Sequence, residues 1–380
     1  PLPTVLEKAK ARGMATGLVT TTRVTDATPA AFAAHVPSRK MEAEIAVQML
    51  RDAEPDVLLG GGGRFWIPAG TRAGEALPFD DAAGARETSK REDALNLVDE
   101  ARERGYRVVA QAADLEKAAR DPGARRILGL FTASEIPYAI DRGGEPEAPP
   151  SLPAMTAAAL ACLERAPKGF FLMVEGARID HAGHQNDAAA MLGELREFDA
   201  ALGVAFDYAR RRRDTLVVVV ADHDTGGFGF TYRLEAPDGA PKAGGGEGFD
   251  FAPFSVLEQL SRQQMSFERI VREARGDPVR LADLVRKATG FSLAAEDATD
   301  VLSDVTHATG LVRLLAVGAK DQAQARTVLL ARALTESTNV VWASAAHTST
   351  PIVVAAYGPG MARLGGIYPN THIAEVIGDR

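Results

Sequence analysis

The sequence predicts an α/β fold, a three-layer α/β/α sandwich with a mostly parallel central sheet. Short apolar runs of strand length recur along the chain, and patterns typical of helices, such as residues 153–166 and 187–212, lie between them. Alternation of strand and helix favours a parallel sheet covered on both faces. No fixed-period repeat is present, which argues against solenoids and propellers.

The chain begins with a capping-box pattern, Thr4-Val-Leu-Glu7, and helix-forming residues follow up to Gly13. This pattern predicts a helix at the very start. The later apolar runs predict buried strands. These runs are Asp56-Val-Leu-Leu, Arg126-Ile-Leu-Gly-Leu-Phe131, Phe170-Phe-Leu-Met-Val174, Thr215-Leu-Val-Val-Val-Val220 and Ile352-Val-Val-Ala-Ala-Tyr357.

Residues 229–341 interrupt this alternation. They start with a loop rich in glycine and proline, Ala236 to Gly248, and continue as amphipathic helices with Leu281, Leu284 and Val285 on one face. We therefore expect one domain over residues 1–380 with a largely helical insertion at 229–341 between two core strands.

Composition limits the function classes. With 380 residues and 46% hydrophobic content the chain can bury a substantial core. Its 43 basic and 51 acidic side chains give a net charge of -8, so no general basic field attracts nucleic acid or anionic lipid. No apolar run reaches membrane-spanning length. The single cysteine, Cys162, excludes an internal disulfide but leaves the cellular compartment open.

One cluster of polar residues follows the strand that ends at Val174. It reads Glu175-Gly-Ala-Arg-Ile-Asp180-His181-Ala-Gly-His184. Asp180 and His184 are four residues apart, so on a helical turn both would face one side and could share a metal ion. The alternative is a solvated polar loop.

A second cluster, Ala221-Asp222-His223-Asp224-Thr-Gly-Gly227, follows another apolar strand. Ligands of open α/β sheets bind at this end of the strands. Adjacent Asp222 and His223 can ligate one ion if the backbone turns, and Gly226-Gly227 would allow the turn. The alternative is that Asp222 caps a helix and His223 is incidental.

The remaining histidines divide into two groups. His347 directly precedes the strand at Ile352 and is a further ligand candidate. His307 and His372 lie in surface-like helical contexts, where we expect solvated side chains. His35 lies late in a short helix and is expected to be structural.

Near the start, Asp26-Ala-Thr28-Pro29 precedes a predicted helix that ends near Ser38-Arg39. Thr28 before Pro29 is the pattern of an N-cap with proline at the first helical position. A threonine hydroxyl and an aspartate can also bind a hard cation, and Arg39 has the planar fork that suits two phosphate oxygens. Imidazole with carboxylate suits zinc, and oxygen-only ligands suit magnesium. Together these groups predict a multi-metal hydrolase.

These motifs resemble the alkaline phosphatase family, in the family's order along nearly the whole chain. The matching blocks are residues 4–39 with Gly-Met-Ala-Thr-Gly-Leu-Val and Asp-Ala-Thr-Pro-Ala-Ala, Leu58-Leu-Gly-Gly-Gly-Gly63, Val174–His184, Ala221–Gly227, His347-Thr and Tyr357-Gly-Pro-Gly360. The resemblance implies a phosphomonoesterase that acts on small phosphomonoesters and releases inorganic phosphate. The family's reaction passes through a phosphoserine intermediate and then attack by zinc-bound hydroxide.

The resemblance also implies two zinc ions, one magnesium ion and a set of residue roles. Asp180, His184 and His347 would hold the first zinc, and Asp222 and His223 would supply two of three protein ligands to the second. Thr28 and Glu175 would bind magnesium, with Asp26 acting through water. Arg39 would clamp the substrate phosphate, and His181 would lie close to it.

The family also has a first strand with an Asp-Gly-Met-Gly-type motif and a nucleophilic serine in an Asp-Ser-Ala-type motif, and neither is in this sequence. We expect the chain to be a fragment of a longer enzyme; the alternative is a shortened protein without catalysis. Loss of that central strand would expose backbone groups and apolar surface on its neighbours.

Other activities stay open. They are a related phosphodiesterase or sulfatase, or an inactive fragment that binds metal or phosphate. From the resemblance alone we expect a periplasmic or secreted location, and a homodimer is a further family-based expectation.

Overall fold

A computed structural model describes residues 1–79, 84–143, 148–233, 250–251, 254–303 and 318–378. Five parallel strands form its main sheet in the order β3-β4-β2-β1-β5. The predicted mostly parallel α/β fold is therefore confirmed. The strands are β1 (Ala15–Arg23), β2 (Val57–Gly61), β3 (Arg107–Val109), β4 (Ile127–Leu130) and β5 (Phe170–Glu175).

Helices cover both faces of this sheet because successive strand residues point to opposite sides. Leu18, Leu58 and Leu128 pack into one core with the first group of helices, and Val19, Val57 and Ile127 pack into the other core with the second group. The first group is α1 (Val5–Ala11), α2 (Ala27–Ala33), α3 (Glu42–Gln48) and α5 (Leu97–Glu103); the second is α6 (Ala112–Arg120), α8 (Leu152–Leu163) and α10 (Ala188–Arg212).

The start of the chain is as the sequence predicts. Thr4 caps α1, its hydroxyl accepting from the Glu7 amide at 3.1 Å while the Glu7 carboxylate accepts from the Thr4 amide at 2.8 Å. Shorter helices link the larger elements. They are α4 (Ala73–Ala76), α7 (Ala139–Arg142) and α9 (Arg178–His184), with a π-helical turn at Met49–Ala53 and 3-10 turns at Gly63–Phe65, Gly84–Arg86 and Met361–Leu364.

Short antiparallel ladders follow the main sheet. Strand β6 (Val217–Val220) pairs with β13 (Val354–Tyr357), β7 (Asp224–Thr225) with β12 (His347–Thr348), β8 (Phe228–Phe230) with β11 (Val340–Trp342), and β9 (Tyr232–Arg233) with β10 (Asp250–Phe251). The last helix is α17 (Thr371–Gly378).

Residues between β8 and β11 form helices with a core of their own. Leu281 and Val285 are fully buried in it, and Leu284 packs against it half-buried. The Gly-rich loop at 236–248 lies outside the described residues. The helices are α11 (Phe254–Ser261), α12 (Phe267–Ala274), α13 (Pro278–Thr289), α14 (Ala295–Leu302), α15 (Gln322–Ala333) and α16 (Thr335–Thr338).

Two of the strands with one neighbour, β5 and β6, lie next to the polar clusters. Among the described residues β5 pairs with β1 alone and β6 with β13 alone. Every residue of β5 is half-buried, whereas every residue of β2 and β4 is buried. Val220 at the end of β6 is 39% exposed. No helix in the described part of the chain is both long and apolar enough to cross a membrane.

Candidate metal centre

Two polar clusters follow the ends of β5 and β6, and a strand pairing brings His347 next to them. Helix α9 starts three residues after β5, and β7 starts four residues after β6. Strand β12 pairs with β7 so that His347 lies opposite Thr225. The turn after β7 depends on Gly226 and Gly227, with φ values of +87° and +60°. A Cβ on Gly226 would lie 2.6 Å from the Trp342 ring, so this turn requires glycine.

Asp180, His184 and His347 form a compact group. Their ligand atoms all lie within 4.8 Å of one another. Each histidine Nε2 is 3.5 Å from an oxygen of Asp180, His184 from Oδ2 and His347 from Oδ1. Two imidazoles and a carboxylate at this spacing match a zinc site with one open position.

The orientation of His184 is set by the backbone. Its Nδ1 lies 2.6 Å from the carbonyl oxygen of Ala345, so Nδ1 carries the proton and donates it. Nε2 therefore presents a lone pair to the space beside Asp180. Metal-binding histidines are usually held by such an outer hydrogen bond.

Asp222 and His223 extend this group. His223 Nε2 lies 3.1 Å from Asp222 Oδ2, and the His223 ring stacks on His347 with centroids 3.5 Å apart. Thr225 links them to Asp180: its hydroxyl donates to Asp180 Oδ1 and lies 3.2 Å from His223 Nδ1. The hydroxyl's one proton goes to Asp180, so towards His223 Nδ1 the hydroxyl can only accept.

Glu175 ends β5 at the centre of an oxygen-rich group. Thr20 donates a hydrogen bond to its carboxylate at 2.7 Å, and Thr28 donates another. Burial raises the pKa of Glu175 to about 7; the hydroxyls oppose the rise, and the carboxylates of Asp26 and Asp222 add to it. A hard cation among these oxygens would offset the cost of ionising Glu175.

Asp26 joins this group to Arg39. Arg39 donates to Asp26 Oδ1 at 2.8 Å, and Arg23 pairs with the same oxygen at 3.2 Å. Burial alone would raise the pKa of Asp26, but Arg23 and the hydrogen bond from Arg39 hold it below its usual range. The Arg39 side chain is 64% exposed, so its other donors are accessible to solvent.

His181 lies on α9 beside Asp180. Arg178 donates to its Nδ1 at 2.8 Å. Burial and the positive charge of Arg178 lower the pKa of His181 to about 3. The ring is therefore neutral at ordinary pH.

Comparison with known proteins identifies the family. The alkaline phosphatase family model matches residues 1–379. The chain belongs to the alkaline phosphatase family.

Individual members of the alkaline phosphatase family agree with this match. The repressible alkaline phosphatase of Saccharomyces cerevisiae is 40% identical over 242 residues, which are 60% of this chain and 41% of the yeast protein. Alkaline phosphatase 4 of Bacillus subtilis is 30% identical over 378 residues, covering 98% of this chain and 68% of the relative. The Thermus thermophilus alkaline phosphatase structure superposes with a TM-score of 0.79 at 32% identity, covering 98% of this chain and 72% of the other. The chain thus spans only part of the length of these relatives.

The fold brings together all ten residues singled out in the sequence. They form two adjoining groups, with Asp180, His184, His347, Asp222 and His223 in one and Glu175, Thr28, Asp26, Arg39 and His181 in and around the other. His35 and His372 contact Glu7 and Glu375 instead. His307 lies outside the described residues.

Two local predictions for this region are wrong. Asp26, not Thr28, is the N-cap of α2, and Thr28 lies in its first turn. The backbone of Asp26 is extended and the Asp26 carbonyl accepts from the Ala30 amide, while its carboxylate is held by Arg39 and Arg23. The helix also ends at Ala33, not near Ser38-Arg39. Pro37 disfavours helix in the residue before it, which is consistent with this early end.

Some contributors were not evident from the sequence. Thr20, Arg23, Arg178 and Thr225 all contact the predicted residues. Thr20 lies in the run Thr20-Thr-Thr22, an unusual content of hydroxyls for a buried strand, and Arg178 and Thr225 lie inside the two polar clusters that follow β5 and β6.

Proposed function

We propose that this chain is the greater part of a metal-dependent phosphomonoesterase that hydrolyses small phosphomonoesters to an alcohol and inorganic phosphate. The observation that carries the proposal is the convergence of Asp180, His184 and His347, next to Asp222 and His223. Arg39 is held on Asp26 in the adjoining group. Family membership supports the same activity.

The donor chemistry of the site fits two zinc ions and one magnesium ion. We assign the first zinc to Asp180, His184 and His347, and the second to Asp222 and His223 with a ligand from outside the described group. We assign magnesium to Glu175 and Thr28, with Asp26 acting through water. The mixed imidazole and carboxylate set is of the zinc type, and the buried oxygen set is of the magnesium type.

The bound metals would stabilise negative charge on the phosphoryl oxygens. The chain's own residues would orient the substrate. Arg39 keeps one guanidinium nitrogen on Asp26 and leaves its remaining donors for phosphate oxygens. His181 is neutral and close to Asp26, so it would offer the substrate a further polar contact without adding charge.

We propose further that the reaction proceeds through a phosphoserine, and that this serine belongs to a segment outside these 380 residues. Among the described residues β5 and β6 each have one edge without a partner strand, which is consistent with a strand from such a segment. The exposure of Asp222 is consistent with such a segment too. Asp222 is a proposed metal ligand, yet 77% of its side chain is exposed. Export to the periplasm or medium, and a homodimer, remain proposals drawn from the family.

The test compares the 380-residue chain with a version extended by its in-frame upstream coding sequence. Both are supplied with zinc and magnesium and assayed at alkaline pH with an aryl phosphate, an aryl sulfate and a bis-aryl phosphate. We expect negligible phosphate release from the shorter chain and strong release from the longer one.

Three outcomes would count against the proposal. Strong activity of the shorter chain would overturn the external nucleophile. No activity of the longer chain with any substrate would overturn the phosphatase function. Faster hydrolysis of the sulfate or the diester would favour a sulfatase or a phosphodiesterase.

A further inference from the structure

Arg178 lies at the centre of a contact between the metal cleft and the helices that separate β8 from β11. Its side chain is 9% exposed. The guanidinium carbon lies 3.7 Å from the centroid of the buried Tyr138 ring. The Arg178 backbone amide also donates to Thr21 Oγ1 at 3.2 Å. The residue is therefore held from several directions.

One terminal nitrogen of Arg178 contacts the cleft. It lies 2.8 Å from Nδ1 of His181. Arginine has donors only and keeps its charge at all ordinary pH values. Nδ1 of His181 must then be the acceptor, since a proton on it would place two donors against each other. The imidazole proton therefore lies on Nε2, the nitrogen farther from Arg178.

The other terminal nitrogen points towards α12. It lies 3.6 Å from Glu268 Oε2, on the second residue of that helix. The cation is thus placed between an imidazole of the cleft and a carboxylate of the separate helical core. This contact is one physical link by which residues 229–341 can influence the site.

The geometry points to Arg178 as a positioning residue that fixes His181 as its Nε2–H tautomer, with Glu268 of α12 holding the guanidinium in place. His181 then carries a single N–H donor, at Nε2, on a ring whose Nδ1 is held by Arg178. The consequence for turnover rests on the proposed phosphatase function, whereas the tautomer does not.

The tautomer can be measured directly. The 380-residue chain is labelled with ¹⁵N-histidine, and long-range proton–nitrogen correlation spectra distinguish a protonated from an unprotonated ring nitrogen. The His181 signals are assigned as those lost in His181→Gln. We expect unprotonated Nδ1 and protonated Nε2 in the wild type.

Substitutions of Arg178 test whether this residue determines the His181 tautomer. Arg178→Met removes the donor while retaining an apolar side chain, and we expect loss of the pure Nε2–H pattern. Arg178→Lys restores one donor and should restore the pattern in part. A wild-type ring protonated on Nδ1, or an unchanged pattern in Arg178→Met, would overturn the inference.

A matched pair on α12 tests the helical link without changing a buried residue. Glu268 contacts Arg178, whereas Glu273 on the same helix pairs with Arg269 at 2.8 Å. Glu268→Gln should shift the His181 signals, and Glu273→Gln should not. Equal spectra for the two variants would remove Glu268 from the proposal. An inactive extended enzyme would defeat the proposed function but would leave these spectra to decide the tautomer.

Discussion

The five-stranded sheet and the β6–β13 ladder carry the two halves of one site, yet they differ in how completely they are packed. Strands β1, β2 and β4 each have neighbours on both sides, and Val19 and Leu59 are fully buried. In the ladder, Val220 is 39% exposed, and Val353, the residue directly before β13, is 83% exposed.

The ligand candidates differ in the same way. Asp26 at the end of β1 is 7% exposed and paired with two arginines. On the ladder side the side chains of Asp222 and His347 are 77% and 46% exposed. The comparison indicates that the surroundings of Asp26 are packed by the fold of these residues, whereas Asp222 and His347 are less completely enclosed.

The largest expected effect is the loss of a proposed metal ligand. His184→Ala in the extended protein removes a proposed ligand whose orientation the Ala345 carbonyl already fixes. Because a direct ligand is lost, we expect zinc affinity to fall by more than the roughly 10–100-fold typical of losing an outer partner. Elemental analysis after dialysis measures the zinc that stays bound. His372→Ala, at an exposed histidine beside Glu375, is the control. Unchanged zinc in His184→Ala would remove the assignment of the first site.

A matched pair of leucines measures the packing difference itself. Leu59 on β2 and Leu172 on β5 contribute to the same core, but Leu59 is fully buried and Leu172 is only partly buried. In denaturant unfolding of the 380-residue chain, we expect Leu59→Ala to lower the free energy of unfolding by about 2–5 kcal/mol. Leu172→Ala should cost less than half as much.

The extended protein sharpens this comparison. A strand added beside β5 would bury Leu172 further, so the cost of Leu172→Ala should then approach that of Leu59→Ala. Equal costs in the shorter chain would mean that the edge of β5 is already covered.

The smallest expected effect concerns pH. The pKa of Glu175 is raised from 4.5 to about 7 in the folded, metal-free chain. Between these values the folded state binds more protons than the unfolded state, so this group lowers stability as pH rises from about 4.5 to 7. Glu175→Gln should therefore stabilise the metal-free chain more at pH 8 than at pH 5.

Thermal unfolding at the two pH values tests this effect. Magnesium should reduce the difference in the wild type by stabilising the carboxylate. An equal effect of Glu175→Gln at both pH values would contradict the raised pKa.

Strand positions could be predicted wherever apolar residues were continuous, as in β2, β4, β5 and β6. Strand β1 was not singled out because threonines replace apolar residues over much of its length. Those threonines are buried, and two of them serve the site: Thr20 donates to Glu175, and Thr22 donates to Asp26 at 3.3 Å. Hydrogen-bond partners distant in sequence make this burial favourable, and a local pattern does not reveal them.

The sequence by itself determined the donor chemistry and the local spacing. Asp180 and His184 face one side because four residues make about one helical turn, and Gly226-Gly227 allows the turn that follows β7. Tertiary structure alone decided that His347 joins them, through the β7–β12 pairing, and that His184 is oriented by a carbonyl 161 residues away. Asp180 and His184 are close in sequence, but His347 reaches them only through the pairing of strands that are far apart in sequence.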